Sequence, residues 1–163
     1  MIPGKIQRFL EEYANVATSG SRDRDLVPYG HRVIGWRIGA DRDSLICLVP
    51  AQFTDQLVDN LTDNGQYSVT IEEFPSHETY QFKGRYLRHR DPEPQDHAAH
   101  ARIVARFQKG VRTMFPELPE QLLRDYMLEP ALAVEIQVEE IFLQTPGPGA
   151  GTRLVPPVGA GGA

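Results

Sequence analysis

The feature that most constrains this chain is a period-two alternation of apolar and polar residues over two neighbouring stretches. From Gln66 to Phe74, Tyr67, Val69 and Ile71 alternate with Ser68, Thr70 and Glu72. From Glu78 to Leu87, Tyr80, Phe82 and Tyr86 alternate with Thr79, Gln81 and Arg85. Successive side chains of a strand point to opposite faces, so the pattern predicts two antiparallel strands, each half-buried, joined through Pro75-Ser76-His77.

Other segments supply further strands. Ser44 to Val49 is apolar on both faces, as in a strand covered on each side, and Pro50 ends it. Val27 to Ile38 reads as one extended segment that returns through Gly39-Ala40-Asp41-Arg42-Asp43. A last strand runs from Leu132 to about Leu143. Leu132, Val134, Ile136 and Val138 share one phase there, whereas Ile141 and Leu143 take the other. A change of phase at Glu139-Glu140 predicts a β-bulge, or a strand whose far half meets another surface.

Helical spacing appears in four places. Ile2, Ile6, Phe9, Leu10 and Tyr13 predict a short amphipathic helix at the N-terminus. Phe53, Leu57, Val58 and Leu61 form the stripe of a second, stopped by Asn64-Gly65. After Asp91-Pro92-Glu93-Pro94, Asp96 is read as the N-cap of a long helix with Ile103, Val104, Phe107, Val111, Met114 and Phe115 on its apolar face. Pro119 opens another, with Leu122, Leu123, Tyr126 and Met127 expected in the core. The order of elements predicts an α+β, mainly β fold: a six-stranded antiparallel barrel closed by flanking helices. We expect one domain over residues 1–145 with a helical insertion at about 95–128, and a tail over 146–163, because Pro, Gly and Ala there bury too little apolar surface to offset ordering entropy.

The net charge of −5 hides an asymmetry, since eight basic residues face three acids between Lys83 and Arg112. A basic segment of this kind suits a phosphate-bearing ligand or a partner subunit, or else a solvated helix face. Nucleic acid is not an expected partner of an acidic chain. A single cysteine, Cys47, allows no internal disulfide and points to a reducing cytoplasm, with its thiol expected buried and inert. No apolar run approaches the ~20 residues of a membrane helix, and the first residues lack the apolar stretch of a signal peptide. His97 and His100 lie three apart with only Asp96 nearby, and no metal site is expected. Neither a G-x-S-x-G elbow nor a Gly-rich dinucleotide motif is present.

Four stretches carry a resemblance: Asn15-Val16-Ala17-Thr18-Ser19; Val27-Pro28-Tyr29-Gly30-His31-Arg32-Val33; the strand-to-helix passage from Leu48-Val49-Pro50-Ala51-Gln52-Phe53-Thr54-Asp55 to Leu61; and the hairpin Tyr67-Ser68-Val69-Thr70-Ile71 with Tyr80-Gln81-Phe82-Lys83-Gly84-Arg85. With the ending Gln144-Thr145-Pro146-Gly147-Pro148, they resemble in order the pyridoxamine 5'-phosphate oxidase-like family of FMN-binding split β-barrels, across residues 13 to 148. The resemblance implies a homodimer with FMN at the subunit interface and an FMN-dependent oxidoreductase acting on a small molecule. It also implies that Arg32, Gln52, Thr54 and Lys83 hold the phosphate and ribityl chain, with Tyr29, His31 and Val49 near the ring. Trp36 has an aromatic face suited to a flavin, although a tryptophan in a barrel strand belongs more often to the core or a dimer interface. No catalytic side chain is singled out, because flavin chemistry needs no protein nucleophile.

The chain departs from the family pattern at the start of the second helix. Many members carry Arg or Lys there with Ser or Thr; this chain has Gln52-Phe53-Thr54-Asp55. True pyridoxamine-phosphate oxidase activity is therefore not expected. The alternative reading is a non-catalytic barrel that holds flavin or haem for binding or sensing, with His31, His77, His89, His97 and His100 as the available axial ligands.

Overall fold

The computed structural model describes residues 1–13, 15–124 and 127–155; Tyr126, the side chain of Leu122 and the tail beyond residue 155 lie outside the described residues. The chain runs through α1 (Gly4–Glu12), β1 (Asn15–Arg22), β2 (Pro28–Val33), β3 (Gly35–Ile38) and β4 (Ser44–Pro50). A 3-10 turn over Ala51–Phe53 leads into α2 (Thr54–Asn64), β5 (Gln66–Glu73) and β6 (Thr79–Arg90). Then come α3 (Pro94–Met114), α4 (Glu120–Arg124), β7 (Pro130–Leu143) and β8 (Arg153–Val155).

The alternating segments pair as expected. Val69 lies opposite Phe82 and Ile71 opposite Tyr80, and all four are buried. From this hairpin the antiparallel sheet extends in the order β2-β1-β5-β6-β7-β4-β3, with β8 added to β7. Every residue of β4 is buried, as its two-sided apolar pattern requires. Its Leu45, Cys47 and Val49 join the barrel core, while Ile46 and Leu48 pack with Ile34 and Ala133 in a second cluster.

Among the described residues the sheet has eight strands where six were expected, and two features account for the difference. The segment taken as one strand from Val27 to Ile38 breaks at Ile34: β2 pairs with β1, and β3 pairs with β4. Since β2 and β3 stand at opposite ends of the strand order, one continuous stretch links the two edges and curls the sheet. Ile34 N–H donates to the Leu48 carbonyl at 2.9 Å at this junction. The second feature is β8, which returns from the Pro/Gly-rich region onto β7.

The change of phase in the last strand is a bulge. Lys83 pairs with Glu140 but Gly84 pairs with Val138, leaving Glu139 as the extra residue. Glycine is required opposite it, because a Cβ on Gly84 would lie 2.1 Å from the Gln137 carbonyl oxygen.

Helices close the barrel. Ile6, Phe9 and Leu10 of α1 are buried, and each such side chain stabilises by roughly 1.5–3 kcal/mol. In α2, Leu57, Asn60 and Leu61 are buried, and the helix ends at Gly65, whose φ of 66° lets its N–H reach the Leu61 carbonyl. The long helix starts earlier than expected, at Pro94, a residue suited to the first helical position. Asp96 is thus its third residue rather than its cap, and it accepts a hydrogen bond from Glu93 N–H at 2.8 Å. No helix among the described residues is long and apolar enough to cross a membrane.

Candidate functional site

Strand alternation sends His31 and Arg32 to opposite faces of β2, and this divides the candidate residues. His31 faces inward at the mouth of the barrel capped by α2, beside its pairing partner Ser19. Its Nδ1 lies 3.1 Å from the Arg32 carbonyl, to which it donates, so Nε2 is left to accept from Ser19 Oγ at 2.9 Å. The ring is flanked by Phe53 and Tyr67 in near-parallel orientation, with Tyr29 5.7 Å away. Burial lowers the His31 pKa, against the opposing effect of its bond to the Arg32 carbonyl, so the imidazole is neutral at pH 7. A polar chain continues under α2: Gln56 donates to Asn60, and Asn60 to Ser21 Oγ, each at 3.0 Å. Ser19, Ser21, His31 and Asn60 are all buried, so these groups chiefly satisfy one another.

Tyr29, His31 and Val49 therefore gather near the start of α2 with Gln52 and Thr54. Val49 is fully buried and Gln52 is exposed in the 3-10 turn. Thr54 Oγ1 donates to the Ala51 carbonyl at 2.9 Å, and Asp55 adds negative charge to the first turn. An anion here would meet the Asp55 carboxylate, which opposes the attraction of the helix N-terminus.

Lys83 stands elsewhere, exposed on the outer face of the sheet. Its ammonium lies 4.6 Å from the centre of the Phe142 ring. It helps line an open cavity of about 430 Å³ over β1, β5, β6 and β7, with Gly20 and Ser68 also in its wall. Arg85 and Glu139 approach within 3.7 Å at its edge.

Arg32 opens onto a third place. Together with Thr18, which it pairs with across β1 and β2, it lines a cleft of about 680 Å³ between the sheet and the C-terminal half of α3. The other walls are apolar, chiefly Val16, Phe74, Phe107, Val111, Phe115 and Leu123. Phe74 and Phe107 meet edge to face at 6.0 Å. This volume is that of a small-molecule site, typically ~300–1,000 Å³, and apolar walls with one guanidinium suit a planar ring that carries an anionic group.

Sequence reasoning did not single out Thr18, Phe74 or Phe107 as site residues. The apolar face of α3 was visible, but not that Phe115 would remain 50% exposed at the edge of a cleft. Trp36 is in the core, its Nε1 donating to the Leu10 carbonyl at 3.2 Å. Cys47 is fully buried and burial pushes its thiol pKa far up, so it is inert.

No family model matches this sequence, and no curated protein matches it. Solved structures do. HupZ of Group A Streptococcus is 18% identical with a TM-score of 0.55, over 93% of this chain and 100% of that one. A putative pyridoxamine 5'-phosphate oxidase from Lactobacillus delbrueckii is 11% identical with a TM-score of 0.52, over 86% of this chain and 93% of that one. The likeness shows the fold: this chain is a split β-barrel of the FMN-binding type, the fold of pyridoxamine 5'-phosphate oxidase-like proteins.

Proposed function

We propose that this chain is an FMN-dependent oxidoreductase of the pyridoxamine 5'-phosphate oxidase-like group that acts on a small organic substrate, with the cleft between β1, β2 and α3 as the seat of the flavin. The observation that carries the reading is an apolar cleft of about 680 Å³ with Arg32 in its wall, on a fold of the FMN-binding type. Phe107 and Phe115 would cover the ring, Arg32 would hold the phosphate by charge-assisted hydrogen bonds, and Thr18 would add a hydroxyl. Bound FMN would supply two-electron redox chemistry, which needs no protein nucleophile.

The proposal includes a homodimer. Tyr29, Gln52 and Thr54 at the barrel mouth and Lys83 on the outer sheet face then reach the flavin across the subunit interface, while buried His31 and Val49 shape the mouth from beneath. Light scattering that returned the 18.3 kDa mass of one chain would remove this part. A cytoplasmic location accords with a single buried cysteine, and cell fractionation tests it.

Flavin retention is the direct experiment. Purified protein is mixed with FMN, freed of excess and examined by absorption and flavin fluorescence. We expect retention, and an affinity reduced about tenfold or more in Arg32→Gln, the loss of one good charge-assisted contact. A colourless protein that retains no FMN overturns the reading, and a Soret band on adding haemin in that case replaces flavin with haem.

A further inference from the structure

A further cavity lies beside Trp36, between α1, β3 and α3. It holds about 260 Å³ and is lined by Leu10, Glu11, Trp36, Arg37, Arg102 and Arg106, among others. Arg37 is committed to Asp96 at 2.6 Å. Arg102 and Arg106 are not: among the described residues the salt bridges of α3 are those of Asp96 and Arg112, and neither of these two arginines joins one. They stand four apart on one helix face, where like charges repel. Arg106 Nε, moreover, is buried without a hydrogen-bond partner among the described residues. Leaving a charged donor buried and unpaired costs about 1–3 kcal/mol or more, and natural structures rarely do so without a reason.

Two further observations point the same way. Burial, and then the neighbouring Arg102, pull the Arg106 pKa down, while Glu11 opposes them from outside ion-pair distance. Among the described residues, Glu11 is the one carboxylate in the wall beside Arg102 and Arg106, and it pairs with neither. The cavity's remaining walls, Leu10, Trp36 and Ile38, are apolar, as around a small organic anion.

We propose that this cavity is a binding site for a small oxyanion, a phosphate or carboxylate group, held by Arg102 and by the unpaired Nε–H of Arg106. An oxyanion supplies the acceptor that Arg106 lacks and relieves the repulsion between the two guanidinium groups. The volume admits such a group with a few carbon atoms against Trp36. The site is separate from the proposed flavin cleft and does not depend on it.

Calorimetric titration of the full chain with inorganic phosphate, and separately with acetate, tests the site. We expect saturable binding of at least one anion, weakened about tenfold or more in Arg106→Gln and Arg102→Gln and less in Arg106→Lys, which keeps the charge but loses Nε–H. Arg112→Gln, a basic residue of α3 paired with Glu120, should bind as the unaltered chain does. Circular dichroism checks each variant; should Arg106→Gln fail to fold, exposed Arg102 carries the test. Phosphate-selective or acetate-selective binding decides the anion class. Absence of saturable binding by either anion, or equal binding by Arg102→Gln, overturns the proposal. Arg32→Gln separates the two sites, since it should weaken FMN retention and leave anion binding intact.

Discussion

Arg37 Nε donates to Asp96 Oδ1 at 2.6 Å, and so joins the short strand β3 to the first turn of α3 across 59 residues of sequence. Arg90, at the end of β6, takes the other carboxylate oxygen at 2.5 Å. Asp96 is fully buried, and each arginine keeps about a quarter of its side chain in solvent. The contact fixes where α3 begins on the sheet, and α3 walls both the cleft at Arg32 and the cavity at Arg106.

Asp96→Asn removes the shared charge and leaves both guanidinium groups without their carboxylate. Breaking a buried ion pair from one side costs about 3 kcal/mol, so urea unfolding should show a loss of that order. Burial alone would raise the Asp96 carboxyl; its hydrogen bonds with Arg90, Arg37 and Glu93 outweigh burial and hold it at about 2. A carboxyl depressed in the folded state stabilises above its unfolded value of about 3.9 and loses that contribution as pH falls toward 2. The gap in stability between the unaltered chain and Asp96→Asn should narrow over that interval. A gap independent of pH would sink the assignment.

His31 behaves in the opposite acid–base sense. It is held neutral by burial, so its folded pKa lies below the unfolded value of about 6.5. As pH falls below that value the unfolded chain takes up a proton that the folded chain does not, and stability falls. His31→Gln lacks the titrating group, so its urea midpoint should change less between about pH 7 and about pH 5.5 than that of the unaltered chain. Equal slopes would mean that His31 is not responsible. His100, also lowered by burial, contributes to both proteins alike.

The parts of the fold legible in sequence are those set by local pattern. Alternation gave the β5–β6 hairpin, two-sided apolarity gave β4, Gly65 ended α2, and the slip of phase at Glu139 marked the bulge. The break at Ile34 was hidden because extended residues on both sides of it continue one pattern while pairing with different strands. The site was legible only as residue types. His31 and Arg32 are neighbours in sequence, and which one enters the barrel depends on register against β1. Arg37 and Asp96 are related only by how α3 packs, so neither spacing nor composition could pair them.

Gly84 offers a test of the bulge. Its place in β6 brings the Gln137 carbonyl so close that a Cβ would have to displace the backbone of β7. Gly84→Ala should cost about 2 kcal/mol by overpacking, despite alanine's lesser backbone entropy loss on folding. Neutral or raised stability in urea unfolding would show that β7 yields there. Gly147 makes a useful comparison, since a Cβ there meets nothing within 4 Å and the strain would come only from its φ of 145°.

Phe115 stands at the edge of the cleft proposed to hold the flavin. It lines the cleft yet is half exposed, and α3 closes through its backbone, with Phe115 N–H donating to the Val111 carbonyl at 2.7 Å. Truncation to alanine leaves that bond in place, so Phe115→Ala should change stability by no more than about 1 kcal/mol. A flavin seated in the cleft would bury the exposed half of the ring, worth about 1 kcal/mol of contact. FMN affinity should then fall about fivefold in fluorescence titration, while anion binding at Arg106 is unchanged. Unaltered FMN affinity in Phe115→Ala, alongside a loss in Arg32→Gln, would move the ring from the α3 side of Arg32 toward the mouth of the barrel at Tyr29. Loss in both places it between Arg32 and the end of α3.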